Sequence, residues 1–270
     1  MTASPAPVVL LGAQRSGTTA LADVLDQAFA AAGGVFTVNG KLPYLLHRWC
    51  TQADVQGRHL RTDEILHALH RRPPYGRHSE QWLGTVEKVL RAAAAEVAAG
   101  RVTDASALRG RLVRQAYAGT TRYGDKYNEY LLELDQLADT LPEAHWVLLI
   151  RHPAAVARSM LRWTGDRPWR PGTRRDALEK WAAWHRPWLA HPTTRDPARR
   201  TVLEYTRVCA GEDLHRLSEA IGLDLLPHAG QLAERTGALD DEPLPAHIDR
   251  LWRTLLDLRT PQPMPQGRTR

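Results

Sequence analysis

Between the apolar run Val8 to Leu11 and a helix-patterned segment stands GAQRSGTT, Gly12 to Thr19. Against the phosphate-binding pattern G-x-x-x-x-G-K-[ST], Gly12, Gly17 and Thr19 fall in register, and Thr18 occupies the lysine's place. A glycine loop joining a buried strand to a helix aims successive backbone N–H groups and the positive end of the helix dipole at one point, which favours an anion. Thr18 and Thr19 add hydroxyl donors. Arg15 sets a permanent guanidinium inside the loop, able to straddle two phosphate-type oxygens where the lysine is missing. Gln14 and Ser16 complete the loop. The plainer alternative is a helix start capped by Ser16 or Thr18, with the glycines serving tight packing alone. Strand, loop, helix and cation together favour anion binding.

A second constellation is RHPAAVARS, Arg151 to Ser159. A nucleotide triphosphatase carries a carboxylate at the end of a later strand to hold magnesium. Here the apolar run WVLLI ends in Arg151, which cannot bind Mg²⁺ but can bind a second anion at the carboxyl edge of a sheet. Ser159, two turns into the following helix, is spaced to bracket the same anion. Taken alone, Arg151 reads equally well as a guanidinium pairing with solvent or an edge carboxylate.

The elements that must position these groups form an α/β pattern. Pro7 to Leu11 is a buried parallel strand, and Gly17 to Ala32 a helix with Leu21, Val24, Leu25 and Ala28 on one face. Val35 to Val38 reads as a second strand, and Lys41 to Trp49 as a short helix or ordered loop. Residues 56–121 read as a helical insertion over the sheet: Thr62 to His70, Ser79 to Ala99 and Thr103 to Ala118, each opened by Ser or Thr. In Tyr123 to Leu134 a glycine-marked turn leads into a helix carrying Tyr130, Leu131, Leu134 and Leu137. His145 to Pro153 is the most strand-like segment, apolar on both faces and hence central. A helix follows from Pro153, Arg200 to Tyr205 is the last parallel strand, and Gly211 to Ile221 and Ala246 to Leu258 are helices. The expected architecture is a single domain, residues 1–258, with a central parallel sheet flanked by helices, followed by a frayed tail, 259–270.

Composition narrows the classes. Of 270 residues, 43% are hydrophobic and 24% charged, as in a packed globular protein. The net charge of +6 suits a polyanionic ligand, nucleic acid or plain solubility. Cys50 and Cys209 stand far apart with no metal-ligand spacing, and the twelve histidines are scattered singly, so no metal site is read. No apolar run approaches the roughly 18 residues of a membrane span. The expectation is a cytoplasmic protein with no membrane and no nucleic-acid partner. Trp181, Trp184 and Trp188 repeat at i, i+3, i+7 and read as a core stripe, while the basic stretch Trp163 to Arg175 could close over a ligand.

These motifs resemble the sulfotransferases that use 3′-phosphoadenosine 5′-phosphosulfate (PAPS). GAQRSGTT is similar to the segment that grasps the 5′-phosphosulfate, and RHPAAVARS fits their R-x-P-x-x-x-x-x-S signature for the 3′-phosphate at every defined position. YGDKYNEYL resembles their G-[DE]-K-[TN]-P-x-Y segment, whose lysine faces the reacting centre, with Tyr127-Asn128 replacing the usual threonine and proline. TVLEYTRVCAGEDL is a weaker likeness to their Y-E-D-L segment. The resemblance spans about residues 7–50 and 120–225. It implies a P-loop-like sulfotransferase fold, PAPS as co-substrate on Gly12 to Thr19, Arg151 and Ser159, no metal, and catalytic roles for Arg15 and Lys126. It further implies a hydroxyl of a small molecule or glycan as acceptor, and the lack of an apolar anchor and the Ala- and Arg-rich composition lean toward a bacterial, biosynthetic role.

The acceptor hydroxyl also needs a base, and here the chain departs from the family: Asn39, Gly40 and Lys41 stand where an acid is expected after the second strand. His47, with an ordinary pKa near 6.5, and Asp125 and Glu129, which flank Lys126, are the candidates. Each competes with a structural role: Asp125 as a helix cap, Glu129 solvated, His47 lining a loop. A P-loop small-molecule kinase and a basic nucleic-acid-binding module are the alternatives, the first distinguished by metal dependence and the second by salt-dependent binding.

Overall fold

The structure is a computed structural model that describes residues 5–164, 170–232 and 243–259. Along the chain come β1 (Val8–Leu11), α1 (Thr18–Ala31), β2 (Val35–Val38), α2 (Leu42–Trp49), α3 (Gln52–Gln56), α4 (Thr62–Arg71), α5 (Ser79–Ala98) and α6 (Ala105–Ala116). Then follow β3 (Tyr123–Lys126), α7 (Leu134–Thr140), β4 (His145–Ile150), α8 (Pro153–Leu161), α9 (Arg174–Ala190), β5 (Arg200–Glu204), α10 (Tyr205–Cys209), α11 (Glu212–Ile221) and α12 (Ala246–Asp257). The five strands form one sheet in the order β2-β3-β1-β4-β5, every pairing parallel.

Alternation along the buried strands divides the core in two. Val9 and Leu11 of β1 with Trp146, Leu148 and Ile150 of β4 face the layer built by α2 to α9 and α12. Val8, Leu10, Val147 and Leu149 face α1, α10 and α11. Covering helices on both faces explain why these strands read as continuous apolar runs. The helices between β2 and β3 all contribute to the first core. Trp181, Trp184 and Trp188 are buried in it, as their spacing requires.

Three expectations need correction. Tyr123 to Lys126 is a strand between β2 and β1, not a turn into a helix, and the chain then makes a 3-10 turn, Asn128–Leu132, before α7. Its Gly124 is a sheet residue because a Cβ there would meet the Val8 carbonyl at 2.5 Å and the Phe36 ring at 2.6 Å. Thr62 and Ser79 do not cap their helices: the cap positions are Arg61 and His78 with no side-chain bond, and of these three helices α6 alone has a side-chain cap, from Asp104. Arg259 is tied down, donating to Asp213 at 3.3 Å; residues 260–270 lie outside the described part of the chain.

His185 carries a stability prediction. It is fully buried on α9, with Nδ1 2.7 Å from the Trp181 carbonyl and Nε2 without a partner. Burial pushes the imidazole down to about 4. Between that value and the unfolded pKa near 6.5 the unfolded chain binds the extra proton, so this group's stabilisation is complete above pH 6.5 and is lost as pH falls toward 4. The loss amounts to about 3 kcal/mol. Denaturant titrations from pH 7 to 4 should show a steeper decline for the wild type than for His185→Leu, and equal slopes would refute this.

Candidate active site

The candidate residues of the two motifs meet at the carboxyl edge of the sheet, where β1 and β4 lie side by side. The chain leaves β1 toward α1 on one face and leaves β4 toward α8 on the other, which opens a crevice between the two connections. The cleft there has a volume of ≈ 1210 Å³ and is lined by Gln14, Arg15, Gly17, Thr18, Thr19, Lys126, Asn128, Arg151 and Ser159, among others.

Backbone geometry shapes the loop. Arg15 (φ 71°) and Gly17 (φ 94°) are left-handed, the alternation that turns N–H groups into a concave nest. Gly17 is also the N-cap of α1, with no side-chain cap bond, so neither Ser16 nor Thr18 acts as a cap and the first-turn donors face the cleft. A Cβ on Gly17 would stand 2.5 Å from the Tyr205 ring; one on Gly12 would stand 2.6 Å from Thr18 Cγ2 and 2.7 Å from the Leu149 carbonyl. Both glycines are therefore fixed by close approach. The Ser16 hydroxyl and Gln14 Oε1 are buried here without partners, polar atoms of a kind that a ligand normally satisfies.

Arg151 is 7% exposed. Its guanidinium lies 4.2 Å over the Tyr205 ring, and Nη1 donates to the Arg15 carbonyl at 3.2 Å. Arg15 in turn donates from Nε to Ser159 Oγ at 3.0 Å and lies 4.7 Å over the Trp163 ring. The two motifs thus form one connected unit. Burial, and for Arg15 the neighbouring Arg151, lower both arginines' pKa values. Arg158 and Arg162 of the α8 segment and Arg72 extend the cationic lining.

Lys126, 4% exposed at the end of β3, also lines the cleft, and burial pushes its amine down to about 8. The other two catalytic candidates are not brought there. Asp125 is buried among five donors: Thr37 Oγ1, the N–H groups of Gly40, Lys41 and Lys126, and the Tyr130 hydroxyl. It braces the turn after β2 against β3 and caps no helix. His47 has Nε2 2.8 Å from Thr140 Oγ1, with Asp139 at 3.8 Å, in the layer of α2 and α7. Glu129 follows in the 3-10 turn after β3 and is not among the residues lining the cleft. The carboxylates that line the cleft are Asp23 and Asp26 of α1, the latter accepting the Arg77 N–H.

The Sulfotransferase family model matches residues 7–226. The chain belongs to the sulfotransferase family. Two solved relatives span almost its whole length. The sulfotransferase domain from the Synechococcus PCC 7002 olefin synthase is 19% identical, with 95% of each chain covered and a TM-score of 0.55. The sulfotransferase domain from the curacin biosynthetic pathway is 15% identical, with 94% of this chain and 99% of that one covered, again at 0.55. At such identities the likeness is one of fold. No curated protein matches in sequence.

Three residues of this sulfotransferase's cleft escaped the sequence. Tyr205 reads as the last residue of a strand, yet it starts α10 and supports both Gly17 and Arg151. Asn128 reads as a replaced proline, and Tyr75 falls within the stretch read as a helical insertion. The segment at Tyr75 pairs with the end of β2 through two backbone bonds to Val38, of 3.0 and 3.1 Å, and so walls the cleft. The cue was the unusual PPYG after a helix, which marks a turn without saying what it packs against. Trp163 lies under Arg15, while residues 165–169 of the stretch expected to close over a ligand lie outside the described residues.

Proposed function

We propose that the protein transfers a sulfuryl group from PAPS to a hydroxyl of a small-molecule or glycan acceptor. The observation that carries this reading is the pair of anion sites in one cleft: the N–H-rich loop after β1, and Arg151 with Ser159 after β4. A guanidinium stands where a magnesium-binding carboxylate would serve a kinase. The unpartnered Ser16 hydroxyl, which can donate, and two glycines that admit no Cβ fit a loop wrapped closely on an anion.

In this reading the loop N–H groups with Thr18 and Thr19 hold the 5′ side of the donor, and Arg151 and Ser159 hold the 3′-phosphate. The donor supplies an activated sulfuryl group and departs as the bisphosphate. Such a group carries less negative charge than a phosphoryl group, so preorganised N–H groups and cations can stabilise its transfer. Arg15 spans the two anion sites, and Lys126 faces the cleft from β3. The wall formed by Arg72 to Gly76 and the end of β2 bounds the space left for the acceptor.

The test is transfer from ³⁵S-labelled PAPS to a panel of phenols, sugars and hydroxy acids in the presence of a chelator, with release of 3′-phosphoadenosine 5′-phosphate measured in parallel. Metal-independent labelling with matching release is expected. Phosphoryl transfer from ATP–Mg²⁺ without sulfuryl transfer would overturn the reading in favour of a kinase.

A further inference from the structure

The lysine of the third motif is followed by residues that do not fit the family pattern, and the misfit has a structural consequence. Lys126 is buried, and its Nζ lies 2.6 Å from Asn128 Oδ1. Asn128 Nδ2 donates to the Gly12 carbonyl at 3.1 Å. The amide's orientation follows from its partners: a carbonyl can only accept and an ammonium can only donate, so the NH₂ must face Gly12 and the oxygen must face Lys126. Gly12 follows β1 directly and is closely approached: a Cβ there would stand 2.6 Å from the Thr18 methyl and 2.7 Å from the Leu149 carbonyl. The main chain of Lys126 is fixed as well, paired with Leu10 in the sheet and accepting the Asn39 N–H at 2.7 Å.

We propose that Asn128 is a positioning residue for Lys126: its carboxamide ties the ammonium to the first residue of the donor loop, so that the cation facing the reacting centre is registered to the group that grips the donor. The inference rests on the sulfotransferase reading for its consequence in turnover, though not for the tie itself. A proline at position 128, usual in the resembled segment, could make neither bond. With one N–H committed to Asn128, two remain for ligand oxygens in the cleft. The charges facing Lys126 are Asp125 on its own strand and Glu129 in the following turn, both favouring the ammonium, while burial opposes it. Asp125 is already spent on its five donors. Removing the Asn128 carbonyl therefore leaves the ammonium with less support, and replacing it by a carboxylate gives more.

The chain has four lysines, Lys41, Lys88, Lys126 and Lys180, so ¹³Cε signals of lysine-labelled protein can be assigned with Lys126→Met and titrated directly. In the wild type Lys126 should titrate near 8. In Asn128→Leu its midpoint should fall by about one unit, and in Asn128→Asp it should rise by about one unit or more. In turnover, Asn128→Leu should lower kcat by about 10- to 100-fold, with KM for PAPS and Kd for the bisphosphate within about threefold of wild type. Should Asn128→Leu fail to fold, the upward shift in Asn128→Asp decides the question. Midpoints unmoved in the variants would overturn the tie even if PAPS turnover is confirmed. Shifted midpoints in a protein that transfers nothing from PAPS would sustain the tie and remove the function.

Discussion

Arg151→Ala is expected to weaken binding of 3′-phosphoadenosine 5′-phosphate by about 30- to 1000-fold, on the order of 2–4 kcal/mol, while the ligand-free protein still melts cooperatively. The size follows from burial. At 7% exposure and stacked on Tyr205, the guanidinium is desolvated before any ligand arrives, so a phosphate gains a charge-assisted contact with little competition from water. Arg151→Lys should recover only part of the loss, because an ammonium cannot reproduce a planar two-point contact or the stacking on Tyr205. Calorimetric titration reads the affinity, and melting without ligand separates binding from folding. An unchanged Kd in Arg151→Ala would remove this residue from the donor site.

Arg15→Ala is expected to lower kcat for sulfuryl transfer by about 10²- to 10³-fold, while bisphosphate affinity falls only about tenfold or less. Charge on the departing phosphate oxygen grows mainly in the transition state, so a guanidinium poised between the loop and Ser159 contributes most there. Adding Thr18→Lys should not rescue the variant. Thr18 is 4% exposed, and its methyl lies against Gly12, so a longer side chain there would have to displace its neighbours. In the proposed mechanism the arginine three residues earlier supplies the charge that the usual lysine would carry. Equal losses in binding and turnover would mean that Arg15 only anchors the donor.

What the sequence disclosed and what it hid divide along physical lines. Periodicity exposed β1, β4, β5 and most helices, because burial on both faces forces apolar runs and amphipathic spacing. β3 stayed hidden because its residues are Tyr, Gly, Asp and Lys: the glycine is imposed by a neighbouring backbone, and the carboxylate is buried with five donors drawn from distant segments. The same cause left Asp125 among the candidate bases. Asp125 stands next to the lysine in sequence, yet its carboxylate is engaged by donors from Thr37, Gly40 and Tyr130, segments that sequence spacing does not connect to it. The anion loop and the Arg151–Ser159 pair were legible since their spacing along one strand and one helix is local. Their junction, through the Arg15–Ser159 and Arg151–Arg15 bonds and the shared support of Tyr205, depends on strand order, which local spacing does not encode.

The most direct test of the central claim is a comparison of ligands by calorimetry on the wild-type protein with a chelator present: 3′-phosphoadenosine 5′-phosphate, 5′-AMP, and ATP, the last repeated with Mg²⁺ in place of the chelator. The account predicts metal-independent binding of the bisphosphate and an affinity for 5′-AMP lower by about 30-fold or more, since only the bisphosphate engages Arg151 and Ser159 as well as the loop. Equal affinities for the bisphosphate and 5′-AMP, or binding of ATP–Mg²⁺ alone, would contradict it.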